Sequence, residues 1–493
     1  MSPATATVLV TLFIAWLFLR DRRIRPMSSG ALWLPLLWFL IIGSRPISTW
    51  FNAGLYQAPD AYTDGSPVDA TIFLLLIFCG LWILHRREVF WTSVMASNRW
   101  MAAYLLFFLL SLFWSDYSYV SFKRWIKDLG NIVMVLVILS EADPTAAIRA
   151  VLARFTYVVV PVSVLFIKYW PDLGRDYHQF TWEPGYNGIA TEKNALGAIS
   201  FVAALYLTWD TVVKWKRAAS HAPAAQPLTL DGGLRYTALA PAGFAAVPPT
   251  SNAAAAESTR SWTDLMVSTV LIVMTVWLLY TADSTNAKLC AILGAAVIVL
   301  SKRSLDKDRH LIRNAGVYTF VVILLGAAFY LAPGLKESVL EWLGKDPTLT
   351  GRTDIWTDVL AEPNSALVGA GYQSFWLGPV TDRLWIKYPF RPNQAHNGYI
   401  ETYLNGGWIA LILLLGALIS AAASVRRRLL DGQQRGEAIL LAAYFATTVV
   451  YCWSEAMFNK MSTIWFILLL AAIQMPRRTP PALSLPPTWQ GQP

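Results

Sequence analysis

Near neutral pH, histidine is the side chain that most readily takes up a proton, and one of the five histidines here stands in an unusual setting. His396 lies in HNGYIETYLNGGW, directly ahead of an apolar run. Residues 394–405 carry a helical repeat, with His396, Tyr399 or Ile400, and Tyr403 on one face at i, i+3/4 and i+7. A helix there would hold the imidazole at the height of a lipid headgroup. Arginines form the second feature: Arg124 in SFKRWIKDLG, Arg175 in LGRDYH, Arg352 in TGRTDIW, and Arg383 and Arg391 flanking KYPF. A guanidinium fork gives phosphate oxygens paired charge-assisted hydrogen bonds and keeps its proton, so an arginine set at the membrane surface suits a lipid diphosphate. Each of these residues also has an ordinary reading. A lone histidine near an interface caps or packs, and arginines anchor at interfaces or pair with nearby acids, as Arg124 could with Asp128 at i, i+4 and Arg175 with adjoining Asp176.

Aromatic residues are dense in the same segments, among them Trp170, Tyr177, Trp182, Tyr186, Tyr372, Trp376, Trp385, Tyr388, Tyr399 and Tyr403. They suit an interfacial belt or stacking on sugar rings, and spacing does not decide between the two. The acids are Asp172, Asp176, Glu183 and Glu192 in one segment and Asp354, Asp358, Glu362 and Glu401 in another. A glycosidase pair would need two of them at a set separation that sequence does not reveal. No DxD or His/Cys/Asp cluster points to a metal, and no cofactor is expected.

The elements that must position these groups are membrane helices. The chain is 55% hydrophobic with a mean hydropathy of +0.43 and only 14% charged residues, against roughly 25% charged in a soluble domain. Apolar runs near the length that crosses a hydrocarbon core recur at 4–19, 30–44, 68–84, 100–114, 125–140, 150–168, 194–209, 264–281, 286–300, 315–332, 407–424, 437–453 and 461–475. The expected fold is therefore an all-α polytopic membrane protein of 12–13 transmembrane helices. The first run lacks a basic start and ends in Arg20-Asp21-Arg22-Arg23-Ile24-Arg25, the pattern of a retained span entering from outside. Alternating from there places 24 of the 40 Lys and Arg on the cytoplasmic side, as the positive-inside rule requires. The net charge of +9 is thus mostly an orientation signal and gives no reason to invoke nucleic acid.

This topology divides the chain into N-terminal spans (1–209) with an outer loop at 169–193, a cytoplasmic linker (210–263), central spans (264–332), a large outer loop (333–406), C-terminal spans (407–475) and a cytoplasmic tail (476–493). The linker is expected to be disordered, because its stretch 218–260 is rich in Ala, Pro, Ser and Thr and poor in large apolar side chains. In the large loop, Thr353 to Leu360 reads as a short helix stopped by Pro363. Only His178 and His396 among the histidines fall outside. Cys79, Cys290 and Cys452 each sit within an apolar run, where a buried thiol is the simple reading. No internal repeat is evident.

TGRTDIWTDVL, then GAGYQSFW, then AHNGYIETYLNGGW ahead of an apolar helix resembles the bacterial O-antigen ligase and polysaccharide polymerase superfamily. FKRWIKDLG and TEKNALG extend the likeness and look more like the exopolysaccharide polymerase branch of the succinoglycan type. The ligase motif, His then Asn, Ser or Gln, nine residues, then Gly, is met by His396, Asn397 and Gly407. Its last position departs, with Ala410 where Gly, Thr or Tyr is usual, and the Arg-x-x-x-Leu motif has Trp356 after Arg352.

The resemblance implies an inverting, metal-independent transferase of the membrane-embedded glycosyltransferase type. Its donor would be an undecaprenyl-diphosphate-linked saccharide at the outer face of a bacterial inner membrane. His396 would take the proton of the acceptor hydroxyl, and Arg352, with Arg124 and Arg175, would hold the diphosphate. Lys193 and Asn194 would lie at the same level, and Asn397 and Tyr399 would join the substrate-binding set. Three readings stand: polymerisation of exopolysaccharide or O-antigen repeat units; ligation of glycan to lipid A-core or another acceptor; and, from another class, a membrane transporter, for which broken helices and buried membrane charges are expected.

Overall fold

The computed structural model describes residues 1–25, 29–51, 65–177, 184–220, 251–307, 352–388, 391–431 and 435–476. Helices coincide with every expected span except 315–332, which lies outside the described residues, as do 221–250, His178, Trp182, Glu183, the first part of the large outer loop and most of the tail. Eight of the helices are long and apolar enough to cross a membrane unaided.

The chain opens with α1 (Pro3–Ile24), capped by Ser2, and continues through α2 (Trp33–Ile42), α3 (Pro67–Arg86), α4 (Trp91–Ser97), α5 (Arg99–Leu110), α6 (Ser118–Leu139) and α7 (Pro144–Tyr169). Asp143 starts α7 by accepting the amides of Thr145 and Ala146, and these bonds with the Thr145 hydroxyl hold its carboxyl below the usual range. The expected span at 100–114 is the second limb of a pair bent by 99°, so α4 runs across the direction of α5. Next come α8 (Lys193–Ser220), α9 (Ser251–Thr281) and α10 (Thr285–Lys307). Both α8 and α9 run past the apolar spans into the segment expected as linker, because hydropathy marks where lipid ends and not where hydrogen bonding ends.

After the outer helices α11 (Arg352–Ala361) and α12 (Pro379–Lys387), the chain re-enters the core as α13 (Gly398–Leu430), α14 (Arg435–Ser454) and α15 (Thr463–Ala472). The α15 helix is buried over its whole length. Its Phe466 ring stacks on Phe39, which stacks in turn on Phe155, tying α2, α7 and α15 together at centroid distances of 4.6 and 4.0 Å. Arg154, inside α7, is neutralised by Asp21 of α1 at 2.9 Å. All three cysteines carry free thiols; Cys290 and Cys452 are buried.

Contacts between helix ends support the alternating topology. On the cytoplasmic side Arg20 meets Asp264, Arg87 meets Glu141, and Arg149 meets Glu437 at 2.7 Å. On the other side Trp170 donates to Thr7, and Arg45 donates to the carbonyls of Leu173, Gly188 and Ala190. The single described sheet also lies there: a two-stranded antiparallel hairpin, Arg175–Tyr177 with Pro184–Tyr186, inside the 169–193 loop. The described chain is thus almost all-α, with the helices of a multi-pass membrane protein.

Candidate active site

The outer segment from α11 to the start of α13 builds a small core of its own from Ile355, Val359, Phe375, Trp376, Leu384, Ala395 and Leu404. This core rests on a break in α13. At Gly407 the backbone turns to φ 60°, and the helix continues in a new register. A break at membrane depth exposes backbone groups that lipid cannot satisfy. Here the segment 366–371 satisfies them: Ala370 and Gly371 amides donate to the carbonyls of Leu404 and Asn405 at 3.0 and 2.9 Å, while Trp408 and Ile409 amides donate to Ala366 and Leu367 at 2.9 and 3.2 Å. Only glycine fits this approach, since a Cβ at Gly407 would stand 2.2 Å from the Leu367 carbonyl carbon and one at Gly369 would stand 2.3 Å from the Gly406 nitrogen. The GAGYQSFW and YLNGGW blocks are therefore the two halves of one joint.

His396 does not lie on the helix expected at 394–405. The helix starts at Gly398, because Asn397 is its N-cap, accepting the amides of Tyr399 and Ile400 at 2.9 and 3.1 Å. His396 precedes the cap in a left-handed conformation, φ 49°, so it does not share a face with Tyr399, Ile400 and Tyr403. Such a conformation persists in a non-glycine residue only where the surroundings enforce it. The enforcement falls on Ala395: its amide donates to Glu401 Oε2 at 2.9 Å and its carbonyl accepts from Trp356 Nε1 at 2.7 Å. Glu401 also accepts from Trp376 Nε1 at 3.0 Å and from the Asn405 amide at 3.3 Å, so its carboxylate is committed to holding the loop.

The imidazole meets a residue that sequence reading did not single out. His396 Nδ1 lies 3.3 Å from Glu455 Oε2, and Arg352 Nη2 lies 3.1 Å from Glu455 Oε1; Arg352 Nη1 also donates to the Ser454 carbonyl. The Glu455 side chain is 4% exposed, while those of Arg352 and His396 are 23% and 25% exposed, so the carboxylate is the buried centre of a row whose two ends reach solvent. Lys460 is half-buried beside this row and donates to Gln394 at 2.8 Å. Burial lowers its pKa against the opposing pull of Glu401 and Glu455. Glu192 is exposed at the surface, yet desolvation first and the Glu455 charge second raise its pKa, with His396 and Lys460 acting in the other direction. Exposed Lys193 and half-buried Asn194 follow it at the start of α8.

The remaining expected residues are placed variously. Arg124 donates to the Gln373 carbonyl at 2.6 Å, and its charge is felt at Lys460. Its expected partner Asp128 is buried and accepts from Asn131 at 2.9 Å. Arg175 donates twice to the Ile167 carbonyl, at 3.1 and 3.0 Å, closing the end of α7, and lies over the Tyr186 ring. The Tyr399 hydroxyl donates to the Val449 carbonyl at 2.9 Å, and its ring packs edge-on to Phe458. Arg383 pairs with Glu362, and Arg391 lies over Trp385. Glu455 and Lys460 escaped notice because the outer connection between the last two spans is short. The available signal was an acid and a base five residues apart between apolar runs, each in need of a partner from elsewhere.

A buried carboxylate that accepts from one imidazole nitrogen leaves the other nitrogen as a base. Arginine and lysine beside it supply positive charge for an anionic substrate. A family model described as O-antigen ligase matches residues 267–415, which include Arg352 and the whole His396 block. The exopolysaccharide production protein ExoQ of Rhizobium meliloti (strain 1021) is 26% identical over 393 residues, covering 77% of this chain and 78% of its own. The chain is thus similar, over residues 267–415 and over most of its length respectively, to an O-antigen ligase family and to a protein of bacterial exopolysaccharide production.

Proposed function

We propose that the protein is a metal-independent, inverting glycosyltransferase that polymerises exopolysaccharide or O-antigen repeat units carried on undecaprenyl diphosphate. The observation that carries this reading is the row Arg352, Glu455, His396 at the outer membrane surface. Glu455 accepts the Nδ1 proton and so presents Nε2 to the acceptor hydroxyl. As the acceptor oxygen attacks the anomeric carbon, its proton passes to Nε2. The bond from that carbon to the diphosphate oxygen breaks on the opposite face, which inverts the centre and releases undecaprenyl diphosphate. Negative charge that grows on the leaving diphosphate is met by Arg124, Lys460 and the exposed edge of Arg352. Arg352 thereby has two tasks, since its other edge holds Glu455.

Ligation to lipid A-core or another acceptor would use the same groups and differ only in what occupies the acceptor side. Transport is disfavoured by the break in α13. In transporters the freed backbone groups coordinate the cargo, whereas here segment 366–371 binds the groups on both sides of the break. The test is reconstitution of the purified protein with its host's lipid-linked repeat units and no other acceptor, beside His396→Ala. A product ladder that disappears in the variant supports the polymerase. Transfer only after a candidate acceptor is added points to ligation, and no transfer under either condition would remove the glycosyltransferase reading.

A further inference from the structure

A groove of about 690 Å³ opens at the cytoplasmic end of the protein, where the bend between α4 and α5 meets the inner half of α13. Its two ends differ in chemistry. Toward the bilayer centre the wall is Ile412, Leu415 and Ile419, which are 58%, 44% and 71% exposed and so face hydrocarbon. At the cytoplasmic mouth stand Arg99, Arg427 and Gln474, and among the described residues no carboxylate lines the groove. Gln474 accepts from Arg427 Nη2 at 3.2 Å and so orients that guanidinium. Trp100, packed against Gly416, forms the side wall, and tryptophan favours the membrane interface. The acids Glu88, Glu141, Asp143, Asp431 and Glu437 line a separate cytoplasmic cavity that shares only Arg427 and Gln474 with the groove.

A hydrocarbon wall ending in two arginines at headgroup level fits an amphiphile with an anionic head. A soluble anion would leave the apolar wall unused, and a zwitterionic lipid would gain little from the arginines. We propose that this groove binds one anionic glycerophospholipid of the inner leaflet, its phosphate between Arg99 and Arg427 and an acyl chain along Ile412, Leu415 and Ile419. The lipid would fasten α5 to α13, the helix whose outer end is capped beside His396.

The experiment titrates detergent-purified full-length protein with phosphatidylglycerol or phosphatidylcholine of matched chains, reading bound lipid by native mass spectrometry and thermal unfolding. Wild type should retain phosphatidylglycerol preferentially and unfold at higher temperature with it. Arg99→Gln/Arg427→Gln should weaken retention roughly thirty-fold, the contribution of two surface arginines. Ala423→Leu, which fills the groove and keeps both charges, should weaken retention as well. Arg22→Gln/Arg23→Gln, which removes two exposed cytoplasmic arginines on α1, should have no such effect. Equal retention of the two lipids, or equal loss in the α1 control, would overturn the site. So would unchanged binding in Ala423→Leu, or recovery of a partner helix in the groove in place of lipid.

Discussion

Replacing Glu455 by glutamine removes a charge and almost no volume, so it isolates what the carboxylate does. In the wild type both oxygens accept, one from Arg352 at 3.1 Å and one from His396 Nδ1 at 3.3 Å. Glutamine has one acceptor and one donor at that end. Arg352, which is donor only, takes the oxygen, and the amide NH₂ then faces Nδ1. The imidazole must move its proton to Nε2, the nitrogen needed as base. A base held in the wrong tautomer is close to no base at all, and general-base loss costs about 10²- to 10⁴-fold. At about 1.4 kcal/mol per factor of ten this is a barrier increase of roughly 3–5 kcal/mol. Folding should survive, because Arg352 keeps the glutamine oxygen, the Ser454 carbonyl and partial contact with water. The assay is the initial rate of ladder formation from lipid-linked repeat units in proteoliposomes, with size-exclusion profiles to verify folding. A Glu455→Gln protein that turns over within threefold of wild type would refute the reasoning.

Gly407→Ala should lower stability by about 2–3 kcal/mol, from left-handed strain plus the overlap with Leu367, and thermal unfolding in detergent measures it. Trp356→Phe deletes the donor to the Ala395 carbonyl; a loss of about 1 kcal/mol in stability is expected, with a fall in kcat larger than any rise in KM, because the residue holds His396 without meeting substrate. Arg124→Gln should raise the KM for lipid-linked donor, whereas Arg175→Gln, whose guanidinium closes α7, should leave that KM unchanged; the reverse result would exchange their roles. Asp358 is held below the usual carboxylate range by hydrogen bonds from Lys387 and Tyr388. A depressed folded-state value means that its contribution is complete above about pH 4 and fades as pH falls through the lowered value. At a screened surface it amounts to about 0–1 kcal/mol, so Asp358→Asn should cost no more than that at pH 7 and progressively less as pH falls through the lowered value.

The membrane architecture was legible because lipid imposes one rule on every span: a helix of sufficient length and low charge. Pro3–Ile24 and Pro67–Arg86 follow from that rule alone. The outer site was half legible. Arg352 and His396 could be named from residue type and block order, and the structure joins them. What joins them could not be read, because Glu455 lies 59 residues beyond His396 and 103 beyond Arg352, and only packing of α14 against the outer loop brings it near. The helix start was misplaced by periodicity, which sees the apolar face but not that Asn397 caps and that Ala395 is held from both sides. Arg175 shows the converse: a guanidinium beside an acid suggested an ion-pair or phosphate role, while the chain used it to finish a helix. The hairpin at Arg175–Tyr177 left no trace in a segment too short for an alternating pattern.

The joint at Gly407 bears on how the protein is made. Among the described residues, the carbonyls and amides freed there are satisfied by Asn364 and residues 366–371, which are synthesised before α13 exists. The outer loop therefore waits, incomplete, until the helix that follows it has been inserted. Equally, α13 lacks partners at its break until the loop settles on it. Excision of the loop as a soluble fragment would strip away the structure it was waiting for, and translocation, insertion and assembly of the outer surface become a single event in the life of the nascent chain.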